Sequence, residues 1–223
     1  MNQFFARNME LLKKHSPSSK NLTETIPTSI KVQITPSGEN TVRLNNILIH
    51  SMYDPVKEGR SFSKKVTNGS QVCLYGFGLG YHIESLLEKI GPDGFILAIE
   101  LNADLLNAAM ILRNQSKLLL DKRIHIVYGL NEAIVATEIT EYMEKMQNTS
   151  SKNLEVLFHS PSFKCIPTSF PRLTNSLEIL LMERRFPAVL GDLEKENYAF
   201  NKKIVEQNAG INFLHSKHKG KAG

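Results

Sequence analysis

Residues 72–87, VCLYGFGLGYHIESLL, decide the fold. An apolar run ends at Gly76, glycines recur at Gly78 and Gly80, and Ile83, Leu86, Leu87 and Ile90 then fall at i, i+3, i+4 and i+7. A buried strand, a glycine turn and an amphipathic helix follow from that order. Three further apolar runs, FILAIE at 95–100, RIHIVYG at 123–129 and LEVLFH at 154–159, repeat the strand signal. Between them, Leu105, Ala108, Ala109 and Leu112, and then Ile139, Tyr142, Met143 and Met146, keep helical spacing. Strands alternating with helices predict an α/β fold: a Rossmann-like, open and mainly parallel sheet with flanking helices, joined by right-handed crossovers.

Upstream of this core, Phe5, Met9 and Leu12 predict a short leading helix, and SPSSKN at 16–21 ends it. SIKVQI at 29–34, a PSGEN turn and a strand-like run over 41–49 predict a β-hairpin. Asp54 before Pro55 is the pattern of a helix N-cap with proline at the first helical position, opening a helix to about Val66. Downstream, Leu173, Leu177, Leu180 and Leu181 and then residues 192–214 carry two helical patterns. The expected organisation is an N-terminal helix, hairpin and connecting helix over 1–67, the α/β core over 68–191, and a C-terminal helix and tail over 192–223.

The 223 residues are 41% hydrophobic and 22% charged, with no apolar run of the length a membrane span needs. The start of the chain has charges within its apolar stretch and lacks the order of a secretory signal, so a cytoplasmic protein is expected. Cys73 and Cys165 lie far apart without metal-ligand spacing, and no metal site is expected. The net charge of +5 owes much to HSKHKGK at 215–221, and the remaining lysines alternate with acids. That distribution lacks the basic, aromatic-interleaved stripe of a nucleic-acid binder.

Gly76, Phe77, Gly78, Gly80 and Tyr81 form the turn where ligands meet exposed amides at a helix start. Dinucleotide enzymes use G-x-G-x-x-G; here the third glycine comes one residue early, with Tyr81 in the expected place. The G-x-G-x-G spacing resembles instead the first motif of methyltransferases that bind S-adenosylmethionine. In that reading Glu100, at the end of the second strand, would hold the ribose hydroxyls. Leu74 stands where those enzymes carry an acid, and FHSP at 158–161 lacks their fourth-strand motifs. Two readings of the turn therefore stay open. Either it holds S-adenosylmethionine or a nucleotide, or it is a packed strand-to-helix turn with no cofactor.

His50, Tyr53 and Asp54 cluster in LIHSMYDPVKEG, from which side chains could reach over the glycine turn. Asp54 reads foremost as a helix cap. His82 opens the first crossover helix, as a surface or capping histidine or as a contact for an anion. His125 reads as a satisfied histidine within a strand, and His159 ends the fourth strand on the edge where open sheets bind ligands. No arrangement of nucleophile and base, or of paired carboxylates, identifies catalytic residues.

Taken together, LIHSMYDPVK at 48–57, GFGLGYHI at 76–83 and ENYAFNKKIVEQNAG at 196–210 resemble the amino-terminal domain of the motility accessory factor glycosyltransferases. That family modifies flagellin with nonulosonic acids such as pseudaminic or legionaminic acid. KGKAG at 219–223 is similar to the approach to the family's central, sugar-transferring domain. The resemblance implies an accessory domain lacking the transferring domain, not catalytic on its own, with flagellin or the family's transferase domain as partner. It supplies no catalytic residues to this chain.

Overall fold

The computed structural model describes residues 3–149, 154–176 and 178. The chain opens with α1 (Gln3–His15), followed by a 3-10 turn at Pro17–Asn21. Next come β1 (Ile30–Ile34), β2 (Asn40–Leu44), β3 (Ile47–Leu48) and α2 (Pro55–Ser63). The core continues with β4 (Gln71–Tyr75), α3 (Tyr81–Ile90), β5 (Phe95–Glu100), α4 (Ala103–Leu112) and α5 (Ser116–Leu119). It is completed by β6 (Ile124–Tyr128), α6 (Glu132–Thr149), β7 (Leu154–Phe158) and α7 (Ser160–Phe163), and residues 171–176 are again helical.

β4 to β7 form a four-stranded parallel sheet in the order β6-β5-β4-β7. This is the Rossmann-like α/β core expected from the alternating runs. All five residues of β4 are buried, as its place between two neighbours and two helical layers demands. On one face Val72, Leu74, Ile96, Ala98, Ile124 and Ile126 join the apolar sides of α3 and α4. On the other, Cys73, Tyr75, Leu97, Ile99 and Val127 pack against Val135, Ile139, Met143 and Met146 of α6.

The hairpin is a three-stranded antiparallel sheet, β1-β2-β3. The strand-like run over 41–49 is broken at Asn45 and Asn46, whose φ values of 48° and 66° turn the chain back on itself. Two consecutive left-handed residues suit the twist of a tight hairpin, and asparagine tolerates that conformation. Alternating apolar residues on either side hid this turn from the sequence reading.

Residues before the parallel sheet share its core. Met9, Leu11 and Leu12 of α1 and Ile30, Val42, Leu44 and Ile49 belong to the same buried cluster as β4 and β5. The polar counterpart is Asn8, whose amide donates to Met110 O at 2.8 Å and Arg113 O at 2.7 Å and accepts from Gln115 N at 2.9 Å. α1 thereby closes the carbonyl end of α4, which has no intrahelical partners there. His125 is satisfied, as expected: it bonds Glu138 at 2.9 Å and stacks on Tyr142 with ring centres 3.8 Å apart. The predicted helix over 192–214 and Leu177, Leu180 and Leu181 of the preceding pattern lie outside the described residues.

α2 lies against the start of α3 because Gly59 lets the backbones touch. A Cβ at this position would stand 2.7 Å from Tyr81 O and 2.9 Å from Tyr81 C. Both are main-chain atoms of a helix terminus, which yields little. Gly59→Ala is expected to cost about 1–3 kcal/mol through overpacking, read as a lower midpoint in thermal unfolding. An unchanged midpoint would mean that α2 can shift freely on α3.

Candidate functional site

In the order β6-β5-β4-β7, the connection leaving β4 runs to one side, and the connection leaving β6 returns to the other. The winding order therefore reverses between β4 and β7, and the carboxyl ends of those strands define the crevice where open α/β sheets bind ligands. The glycine turn leaves β4 at this point, and His159 follows β7.

All three turn glycines take positive φ: +100° at Gly76, +53° at Gly78 and +88° at Gly80. The amides they position are bound within the chain. Gly76 N donates to Ile99 O at 2.8 Å and Gly80 N to Phe77 O at 2.9 Å. Phe77 N and Gly78 N donate to Glu100 Oε2 at 2.9 and 3.3 Å, and Leu79 N donates to His50 Nε2 at 2.9 Å. The space beyond each glycine is also filled. A Cβ would lie 2.6 Å from Ser162 Cβ at Gly76, 2.6 Å from His50 Nε2 at Gly78, and 2.9 Å from Gln115 Oε1 at Gly80. Phe77 and Leu79 point into the core.

Glu100 stands at the end of the second parallel strand, as the motif reading expected, but is 0% exposed. Its second oxygen accepts from Asn102 N at 3.0 Å. Burial raises its pKa to about 7, against the pull of the backbone amides, which favour the carboxylate. Tyr81 is buried too, its hydroxyl 2.8 Å from Asn40 O and 3.0 Å from Glu39 Oε2, with the Arg113 guanidinium 3.8 Å over the ring. It ties α3 to the hairpin.

His50, His82 and His159, distant in sequence, meet in the crevice. All three are buried, with one ligand-capable atom of each within 4.8 Å of the others. His82 and His159 stack at 4.3 Å and 9°, and His50 leans on His159 at 4.8 Å and 31°. Phe62 of α2 packs edge-on against His82 at 5.2 Å. Each ring is held from outside the cluster. His50 Nδ1 faces Glu58 Oε2 at 3.3 Å, His82 Nε2 faces Gly76 O at 2.8 Å, and His159 Nδ1 faces Ser162 Oγ at 2.8 Å.

The partners assign two tautomers. Leu79 N can only donate, so His50 Nε2 accepts and the proton sits on Nδ1, toward Glu58. Gly76 O can only accept, so His82 carries its proton on Nε2. His82 Nδ1 is then a bare, buried acceptor with no partner. Burial lowers the pKa of all three rings, His82 to about 3 with His50 adding to the effect, and His159 well below the usual histidine range. The trio is neutral at physiological pH. Three neutral imidazoles can coordinate a metal ion, and a charged one is excluded.

The other candidates serve the helix start. Asp54 accepts from Lys57 N at 2.8 Å, the cap expected of it, and Tyr53 is 76% exposed. Ser51 Oγ accepts from Tyr53 N and Asp54 N, each at 3.2 Å. Glu58, Ser162 and Gln115 were not anticipated. Gln115 acts across the fold on Leu79 O, whereas Glu58, soon after His50, and Ser162, soon after His159, are close in sequence to the rings they hold.

No protein-family model and no curated protein matches the chain. Among solved structures, two distant likenesses are these. The MAf glycosyltransferase of Magnetospirillum magneticum AMB-1 aligns at 16% identity and a TM-score of 0.46, over 78% of this chain and 35% of that one. A protein-L-isoaspartate O-methyltransferase aligns at 17% identity and a TM-score of 0.29, over 58% of this chain and 42% of that one. Likenesses of this size transfer no residue roles. Among the described residues no helix is long and apolar enough to cross a membrane.

The raised pKa of Glu100 gives stability a definite pH dependence. A carboxyl that binds its proton more tightly when folded stabilises the fold fully below its unfolded pKa of about 4.5, and loses that contribution as pH rises through about 7. Over that window the folded chain is expected to lose up to about 3 kcal/mol of stability relative to Glu100→Gln, which cannot ionise. Chemical denaturation of both proteins across the window measures the difference. A difference independent of pH would mean that the amides hold Glu100 as a normal carboxylate.

Proposed function

We propose that the chain serves as a non-catalytic accessory domain of a flagellin-modifying glycosyltransferase of the motility accessory factor type, with its glycine turn acting as scaffold. The observation that carries this reading is that the two strings on which the resemblance rests interlock. His50 of HSMYDP accepts the amide of Leu79 in GFGLGYHI at 2.9 Å. Gly78 leaves room for that ring, since a Cβ there would stand 2.6 Å from His50 Nε2. Two segments with no common role in cofactor binding thus have a common role in packing. The amides that a cofactor phosphate or carboxylate would use already have acceptors in Glu100 and His50.

The partner in this reading is flagellin or the transferase domain of the same system, and the domain positions one relative to the other. In the source organism, deletion of the gene is expected to remove the nonulosonic acid from flagellin, seen as a fall in intact flagellin mass that the wild-type gene restores. Flagellin of unchanged mass would sink the reading. Calorimetric titration of the purified chain separates it from a cofactor-binding enzyme. No saturable heat is expected from S-adenosylmethionine or a cytidine nucleotide at millimolar concentration, where about 4 kcal/mol of affinity would still register. Saturable binding that disappears in Gly78→Asp would make the turn a working cofactor site instead.

A further inference from the structure

We propose that His50, His82 and His159 form a binding site for a single divalent first-row transition-metal ion, zinc above all, which pins the hairpin layer to the carboxyl edge of the parallel sheet. The cluster has the outer shell that metal-bound histidines need. Such rings donate their second N–H to a carboxylate, a backbone carbonyl or another fixed polar group, which sets the tautomer and aims the remaining nitrogen at the ion. Here the outer partners are Glu58 for His50, Gly76 O for His82 and Ser162 for His159. The nitrogens left are His50 Nε2, His82 Nδ1 and His159 Nε2.

His82 Nδ1 is the second, independent sign of a ligand. It belongs to a side chain 2% exposed and lacks any hydrogen-bond partner, although its tautomer leaves a lone pair there. Leaving such an acceptor unmet costs about 1–3 kcal/mol, and a metal ion meets it. Imidazole suits zinc, copper, nickel and iron, and Cys73 and Cys165 stand outside the group, so no thiolate is recruited.

Loading requires the ring stack to open. Zinc–nitrogen bonds of about 2.0–2.1 Å let two ligand nitrogens stand no more than about 4.2 Å apart, whereas one ligand-capable nitrogen of each ring lies within 4.8 Å of the others. The His82 and His159 rings, stacked at 9° with their lone pairs in near-parallel planes, must tilt out of the stack to aim at one ion, and His50 Nε2 must exchange the amide of Leu79 for it. Because His50 follows β3, His82 opens α3 and His159 follows β7, the ion would link three elements that otherwise meet by packing and a few hydrogen bonds.

The test uses the full chain, freed of metal with a chelator. Cobalt(II) titrated into it is expected to give the visible bands of a low-coordinate nitrogen site, saturating at one ion per chain, displaced by zinc, and accompanied by a higher melting temperature. His159→Phe, which keeps a ring in the stack, and His82→Ala are each expected to weaken binding at least about tenfold. Glu58→Gln, on the outer rim of the cluster, is expected to weaken it by about 10–100-fold and serves if a ring variant does not fold. The tail offers a competing site at His215 and His218. The proposal is overturned if the folded chain binds no cobalt at micromolar concentration, if folded His159→Phe or Glu58→Gln binds as tightly as the native chain, or if binding is lost in the His215→Ala, His218→Ala double variant alone.

Discussion

The crevice depends on the need of buried amides for acceptors. A strand that ends in three left-handed glycines presents a run of N–H groups, and in a crevice closed to water each must be met. Glu100 meets two of them and His50 a third, while Ile99 and Phe77 carbonyls take the others. Burying a carboxylate is costly, and the amides are what make it tolerable. The end of β5, the turn after β4 and the segment after β3 are therefore one polar unit. Removing any member strands the partners of the others.

That unit explains how the antiparallel hairpin joins the parallel sheet. Apolar packing through Val42, Leu44 and Ile49 brings the two together but leaves their register loose, since hydrophobic contact has little directionality. Hydrogen bonds supply the direction: His50 reaches the turn, and the Tyr81 hydroxyl reaches Asn40 O from the other side. Gly59 allows α2 to close over the start of α3, placing Phe62 against His82 and Glu58 against His50. The switch-point crevice, which in open α/β sheets is left free for a ligand, is filled by imidazoles from three elements.

The periodic features of this arrangement were legible in the sequence, and its convergent features were not. Runs such as FILAIE and the i, i+3, i+4 spacing from Ile83 are local signals, so β5 and α3 appear where they were expected. Asp54 as a helix cap is equally local. His50, His82 and His159 could each be marked as notable, His159 from its place at a strand end. Their meeting depends on the strand order, which brings β7 beside β4 rather than beside β6. No spacing rule encodes that choice. Without it His82 resembled a surface residue, and the absence of a ligand motif argued against a metal. Asn45 and Asn46 show the opposite failure: a local turn signal was present, but a continuous alternation of apolar residues masked it.

The same geometry shows why a glycine pattern alone cannot separate a cofactor cradle from a packed turn. In either case glycine is selected by positive φ and by the absence of a Cβ, so the sequence records the same spacing. The difference lies in what occupies the space that the Cβ would have taken. Around a bound cofactor that space belongs to the ligand, and the glycines face one common volume. Here the nearest neighbour differs at each glycine, Ser162 of α7 at Gly76, His50 of the hairpin layer at Gly78 and Gln115 beside α5 at Gly80, with His159 also against the first two. At each position the closest approach is made by the protein's own side chains. The G-x-G-x-G spacing then follows from packing helices and hairpin around one turn, and Glu100, which completes the methyltransferase-like pattern, is explained by the amides that those glycines expose.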